Sequence, residues 1–145
     1  MITEPITILM AMVAGVRATQ PVLEAEPASL NHLFTAVCAV ESGGNPRAFN
    51  AGTNAAGVVQ IRPCLVKDCN RIVGRHRWSL GDRYDRDRSR ELFVTYLKYY
   101  GRMYKQETGR EATAETYARM WNGGPSGWRK ASTLEYWRLV KAHGG

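Results

Sequence analysis

The chain has 145 residues, enough for one domain that buries roughly two thirds of its unfolded surface without a disulfide or metal staple. Its 44% apolar and 23% charged residues are those of an ordinary globular protein and exclude collagen, coiled coil and wholesale disorder. Twenty Lys and Arg against thirteen Asp and Glu give +7, which suits an anionic partner without choosing between nucleic acid, acidic cell wall and anionic membrane. Cys38, Cys64 and Cys69 leave at least one thiol unpaired, and no CxxC or Cys/His spacing suggests zinc. Cys64 and Cys69 flank one helical stretch, so three reduced, partly buried thiols are expected.

In chain order, residues 6–16 (ITILMAMVAGV) form an apolar run too short to span a bilayer as a helix. The run resembles a signal-peptide core, with Val16-Arg17-Ala18 as a small-residue cleavage site, but Glu4 stands where Lys or Arg would precede it. A packed N-terminal helix and a docking segment are the alternatives. Residues 19–29 hold two prolines and read as a linker, which gives an N-terminal segment over 1–29 and a folded domain over 30–145.

Ser29 is placed to cap a helix through Leu30, Leu33, Phe34, Val37 and Val40, stopped by Gly43-Gly44-Asn45-Pro46. The Gly/Asn/Ala-rich stretch over 48–57 and the run Val58-Val59-Gln60-Ile61 predict a small hairpin or irregular sheet. Pro63 suits a first helical position, and Leu65, Val66, Cys69, Ile72 and Val73 form a stripe ending at Gly74. Residues 81–90 read as a mixed-charge loop with Asp87 as a helix cap. A long helix then follows through Leu92, Phe93, Tyr96, Leu97, Tyr100, Met103 and Tyr104. Ala114, Tyr117, Ala118 and Trp121 mark a shorter helix ended by Gly123-Gly124-Pro125. Ser132 with Glu135 predicts a capping box before a last helix carrying Leu134, Trp137 and Val140. The expectation is a mostly helical single domain with one small irregular β region.

Glu41 is the residue that needs explaining. It lies four positions after Val37 and seven after Phe34, on the apolar face of its helix. A carboxyl group among apolar neighbours keeps its proton, because desolvation disfavours the charged form. That is what a general acid near neutral pH requires. The bland alternative is a helix-terminal Glu that bends back to solvent.

The blocks AVESGGNPRAFN, AGVVQIRP, ARMWNGGPSGW and STLEYWRLVK, in this order, resemble the lysozyme superfamily. The first two are similar to the Glu-Ser-Gly and Gly-x-x-Gln-Ile-x-Pro blocks of soluble lytic transglycosylases. The Asn-Gly-Gly-Pro and Ser-Thr-Leu-x-Tyr-Trp blocks are closer to invertebrate-type lysozymes, the destabilase family. The resemblance covers residues 30–141 and implies a mainly α (α+β), lysozyme-like domain whose small β region lines a cleft. It implies that Glu41 is the catalytic acid, with Ser42, Asn50, Gln60, Tyr117, Trp121 and Asn122 as substrate-binding residues. Trp121 stands where the family carries Tyr or His, and an indole can stack on a sugar but cannot accept a hydrogen bond. Tyr117, one turn earlier, is the candidate for the missing hydroxyl, with core packing as its alternative.

Asn50 also departs from the invertebrate pattern, which carries an aspartate there. Retaining hydrolysis needs a second carboxylate about 5–5.5 Å from the acid and inverting hydrolysis one about 6.5–9.5 Å away. No Asp or Glu lies between Glu41 and Asp68, and Asp82, Asp85 and Asp87 reach the cleft only if their loop folds over it. The resemblance therefore implies a single-acid transglycosylase acting on the β-1,4 bond between N-acetylmuramic acid and N-acetylglucosamine, which leaves a 1,6-anhydro end. It implies no cofactor and no metal. Its partner is the peptidoglycan glycan strand, and phage virion or envelope proteins are possible partners for the N-terminal segment. The place of action is the bacterial envelope or periplasm, reached from a bacterial or a phage gene.

Three rivals stand beside this reading. One is a hydrolytic lysozyme with a second carboxylate from elsewhere, and another is a catalytically inactive fold kept as a structural part. The third is a nucleic-acid-binding module built on Arg71, Arg75, His76, Arg77, Arg83, Arg86, Arg88 and Arg90 around Trp78 and Tyr84. Asp82, Asp85 and Asp87 weaken the field of that cluster, and no nucleic-acid partner is expected.

Overall fold

The structure, a computed structural model, describes residues 28–145. The apolar run over 6–16 lies outside the described residues. The first helix, α1 (Ala28–Ser42), begins one residue before Ser29, which therefore sits in its first turn rather than ahead of it. Leu30, Leu33, Phe34 and Val37 are buried, as their spacing predicts, against the long α3 (Arg86–Thr108) and against α4 (Ala114–Gly123) and α5 (Leu134–Ala142). The helix α2 (Pro63–Val73) packs its Val66 and Cys69 on α3. It starts at Pro63 and ends at Gly74, which adopts the left-handed conformation at φ 74°. Among the described residues no helix is long and apolar enough to cross a membrane.

The β region is a hairpin of two short strands, β1 (Phe49–Asn50) and β2 (Ala55–Ala56), with Phe49 opposite Ala56 and Asn50 opposite Ala55. The run Val58-Val59-Gln60-Ile61 does not extend the sheet. It folds into a turn closed by a bridge between Ala56 and Ile61, and Val58 and Val59 enter the helical core. Burial of both valines, rather than alternation, is what the adjacent pair encoded.

Two local expectations change for identifiable reasons. Residues 81–90 are ordered: a 3-10 helix over Leu80–Tyr84 is opened by a reciprocal Ser79–Asp82 capping box, and α3 follows at once. Its cap is Asp85, which accepts from the Arg88 amide at 2.8 Å, while Asp87 falls in the first turn. Ser89 lies within this helix, and its buried hydroxyl donates to the Arg83 carbonyl at 2.9 Å. The Ser132–Glu135 box is absent. Thr133 holds the N-cap position of α5 without capping it, because its hydroxyl bonds Gly127 and Lys130 and receives Arg119 instead. Glu135 pairs with Arg138.

Arg83 does not belong to an exposed cationic footprint. It is 4% exposed and bonds the carbonyls of Leu80, Asn54 and Ile61 at 2.9, 2.6 and 3.1 Å, which fastens the hairpin to the helical body. Gly57 makes the close approach possible, since its φ is 83° and a Cβ there would stand 1.7 Å from the Arg83 carbonyl oxygen. Gly57→Ala is expected to destabilise the fold by about 3 kcal/mol or more, read as a lowered midpoint in denaturant unfolding.

All three cysteines are free. Cys38 and Cys69 are buried, and burial pushes both thiols up, Cys69 to about 12. Cys64 is exposed. A thiol reagent should modify one group rapidly in the native protein and three after unfolding without reductant.

Candidate active site

The hairpin, the start of α2 and the end of α4 surround a cleft of 720 Å³. Its lining includes Glu41, Asn50, Gln60, Trp121 and Asn122, so five of the residues implied by the resemblance meet in one place. Tyr96 and Leu65 add apolar surface and Asp68, Arg62 and Lys130 add charge. The composition is that of a ligand cleft with a few convergent polar groups.

Glu41 owes its position to the way α1 ends. The Gly43 and Gly44 amides turn back onto the Ala39 and Cys38 carbonyls at 3.1 and 3.2 Å, with both glycines at positive φ. Ser42 donates its hydroxyl to the Val58 carbonyl at 2.7 Å, which ties this helix end to the turn carrying Gln60. Ser42 is thus a support of the site and is absent from the cleft lining. Glu41, one residue earlier, is half-buried, and its Oε1 accepts from the Tyr136 hydroxyl of α5 at 2.8 Å. Burial raises the Glu41 carboxyl above the usual carboxylate range, while Tyr136 and the more distant Arg62 charge pull it down by less. The carbonyl end of α1 also disfavours a negative charge there. Burial and the neighbouring Glu41 carboxyl hold the Tyr136 hydroxyl firmly protonated, so it acts as a donor.

The hydroxyl beside the acid therefore comes from α5, and Tyr136 is the residue that sequence reading missed. It lies in the Ser-Thr-Leu-x-Tyr-Trp block that carries the resemblance, and the available signal is a Tyr there with no assigned partner. Tyr117 sits elsewhere, against Gly101 of α3, where a Cβ would come within 2.8 Å of its ring. Trp121 does not reach Glu41 by a hydrogen bond. Its indole N–H donates to the Val59 carbonyl at 3.2 Å and its ring packs on Phe93 and Tyr96, with centroids 4.7 and 5.9 Å away.

Gln60 adopts φ 55°, rare for a residue with a Cβ, and such strain gathers at functional sites. Its Nε2 donates to the Gly57 and Ala48 carbonyls at 3.0 and 3.3 Å, which leaves Oε1 as the uncommitted acceptor. Asn50 uses Oδ1 to close a turn onto the Gly52 amide at 2.9 Å and keeps its amide donors.

The remaining aspartates divide clearly. Asp82 and Asp85 serve as caps, and Asp87 lines a separate groove with Arg75, Arg77 and Arg90. Asp68 is the second carboxylate of the cleft, and counting sequence separations alone did not find it. Its Oδ2 accepts from Tyr100 at 2.5 Å, and its Oδ1 is held by the Arg71 fork at 2.7 and 2.9 Å. Among the described residues no group of His, Cys, Asp and Glu is placed to hold a metal ion.

The chain is similar to known proteins in sequence and in fold. Residues 22–142 match the transglycosylase SLT domain model. The chain is 32% identical to the lysozyme of Ostrea edulis over 77% of its own length and 78% of the relative's. It is 33% identical to invertebrate-type lysozyme 6 of Caenorhabditis elegans, over 74% and 82%. The crystal structure of Tapes japonica lysozyme superposes with a TM-score of 0.63 at 26% identity, covering 76% of this chain and 86% of that one.

The environment of Glu41 makes two measurable predictions. Tyr136→Phe removes a donor that favours the ionised carboxyl, so the Glu41 midpoint in an NMR pH titration should move further up. Because the folded-state value is raised, ionisation of Glu41 weakens the fold as pH rises through that value. Glu41→Gln should therefore match the parent's stability below the ordinary carboxylate range and exceed it at neutral pH, measured by thermal melts across pH.

Proposed function

The chain belongs to the transglycosylase SLT domain family of the lysozyme superfamily, and on that premise we propose that it cleaves glycan strands by a single-acid, anhydro-forming mechanism. In coarser terms it is a peptidoglycan-cleaving glycosidase. The observation that carries the finer reading is the state of the two cleft carboxylates. Glu41 is half-buried, open to the cleft and raised by burial above its ordinary value, whereas both oxygens of Asp68 already serve Arg71 and Tyr100. One carboxyl is free to exchange a proton, and the other is occupied.

In this mechanism the strand lies in the cleft along Gln60, Asn50 and Asn122, with sugar faces against Trp121 and Tyr96. Tyr136 donates to Oε1, which leaves Oε2 to carry the proton of Glu41. Glu41 transfers that proton to the glycosidic oxygen between muramic acid and glucosamine as the bond to C1 breaks. The acetamido group of the muramyl residue shares the developing positive charge. The resulting carboxylate, still bonded to Tyr136, removes the proton of the sugar's 6-hydroxyl as that oxygen closes on C1. The 1,6-anhydro end forms without water, and Glu41 regains its proton. The place of action is then the bacterial envelope, where the substrate is.

A hydrolytic reading is kept in play by Asp68, since it shares the cleft with Glu41 and the relatives above are named lysozymes. Mass spectrometry of digested peptidoglycan separates the two, with anhydro ends for the first and reducing ends for the second. Glu41→Gln should lower cleavage by at least about 10²–10⁴, the usual share of acid–base catalysis. Asp82→Asn, Asp85→Asn and Asp87→Asn should cost far less at matched folding. If Asp68→Asn proves as damaging as Glu41→Gln with the fold intact and reducing ends dominate, the single-acid mechanism is wrong.

A further inference from the structure

The mechanism leaves one charged group of the cleft without a task. Arg62 occupies the N-cap position of α2, two residues after Gln60, and lines the cleft together with Glu41. Its side chain does not cap the helix, and it makes no hydrogen bond or ion pair among the described residues. Other arginines near the cleft and in the core are committed: Arg71 to Asp68, Arg83 to three carbonyls, Arg119 to Glu115 and Thr133. Lys130, the other cation of the lining, spends its ammonium on the neutral Gly123 carbonyl at 2.7 Å. The one negative group beside Glu41 is Asp68, already matched by Arg71. Arg62 is thus the cation of the lining that no protein hydrogen bond or ion pair answers among the described residues.

We propose that Arg62 is a specificity residue that binds a carboxylate carried by the glycan strand, so that the cleft selects acidic muramyl strands over neutral chitin-type strands. The inference rests on the reading of this cleft as a glycan-cleaving site. A guanidinium presents paired donors that match a carboxylate, and such charge-assisted pairs are among the stronger recognition contacts. Its place beside the acid suits the sugar whose bond breaks, because muramic acid bears its acidic arm on that ring. Arg62 lines the same cleft as Glu41 and its charge acts on that carboxyl, which suits a contact near the reacting sugar. Two sources share this chemistry: the lactyl carboxylate of a muramyl residue stripped of its peptide, and the carboxylates of an attached stem peptide.

The test compares kcat/KM on three strands of equal length. The first carries stem peptides, the second has been stripped by an amidase to free lactyl carboxylates, and the third is a chitooligosaccharide. The parent should prefer an acidic strand, and Arg62→Gln should lower that preference about tenfold, as expected when one charge-assisted contact is lost. The acidic strand whose advantage falls most identifies the source of the carboxylate. Removing the Arg62 charge also alters the proton affinity of Glu41, so the same comparison is made by strand binding to the Glu41→Gln protein, which lacks that proton. Arg75→Gln removes the same charge away from the cleft and should leave the preference intact.

If Arg62→Gln changes all three rates by one factor, or changes none, the proposal is overturned. Binding of fluorescently labelled strands to the Glu41→Gln protein supplies a readout that needs no cleavage. A preference for acidic strands that disappears with Arg62, in a protein whose parent cleaves nothing, would support the carboxylate site while removing the catalytic reading. Cleavage with an Arg62-independent preference would do the reverse.

Discussion

A single hydrogen bond joins the two ends of this fold at its chemistry. Tyr136 and Glu41 lie ninety-five residues apart, on the last and the first of the described helices, and meet at 2.8 Å. A carboxyl that must stay protonated needs a dry setting, and a dry setting exposes it to the cost of an unsatisfied polar group. The tyrosine hydroxyl answers that cost with one neutral donor. A Lys or Arg in its place would favour the charged form much more strongly and abolish the proton reserve. Packing of α5 on α1 is therefore a condition of the site as well as of the core.

The opposite wall of the cleft depends on a different set of contacts. The hairpin is only two residue pairs long, too short to hold itself. It is fixed by Arg83 from below, by Ser42 at the Val58 carbonyl and by the Trp121 indole at the Val59 carbonyl. Three side chains from three helical segments thus satisfy backbone oxygens that a larger sheet would have paired. The arrangement explains why Trp121 is tolerated where the resembling families carry Tyr or His. The residue on α4 anchors the turn, and the hydroxyl at the acid is supplied by α5.

Much of this was legible in the sequence because it depends on local rules. The helix stripes, the proline start of α2 and the glycine stops are short-range signals, and Glu41 in phase with Phe34 and Val37 is one too. The features that were not legible are long-range and polar. Nothing in the neighbourhood of Arg83 distinguishes it from the exposed arginines around it, since its burial is decided by carbonyls contributed from residues 54 and 61. Asp68 enters the cleft because α2 turns one face toward it, a matter of helix orientation rather than of spacing from Glu41. Asp85 rather than Asp87 caps α3, and two aspartates two residues apart carry no short-range signal that separates them.

Charge is distributed on this surface in two ways that serve different steps. The excess of cations outside the cleft acts at long range, steers an acidic polymer toward the protein and is screened over about 8 Å at physiological salt. Inside the cleft, few charges remain and each has a short-range consequence. Asp68 and Arg71 cancel, Lys130 leans on a carbonyl, and Arg62 stands open beside the acid. The exposed cation of the lining lowers the proton affinity of Glu41 that burial raises, so the two effects oppose each other at one carboxyl. An anion seated on Arg62 would tip that opposition toward the protonated form. On the role proposed for Arg62, substrate charge and acid strength would then be coupled through one side chain.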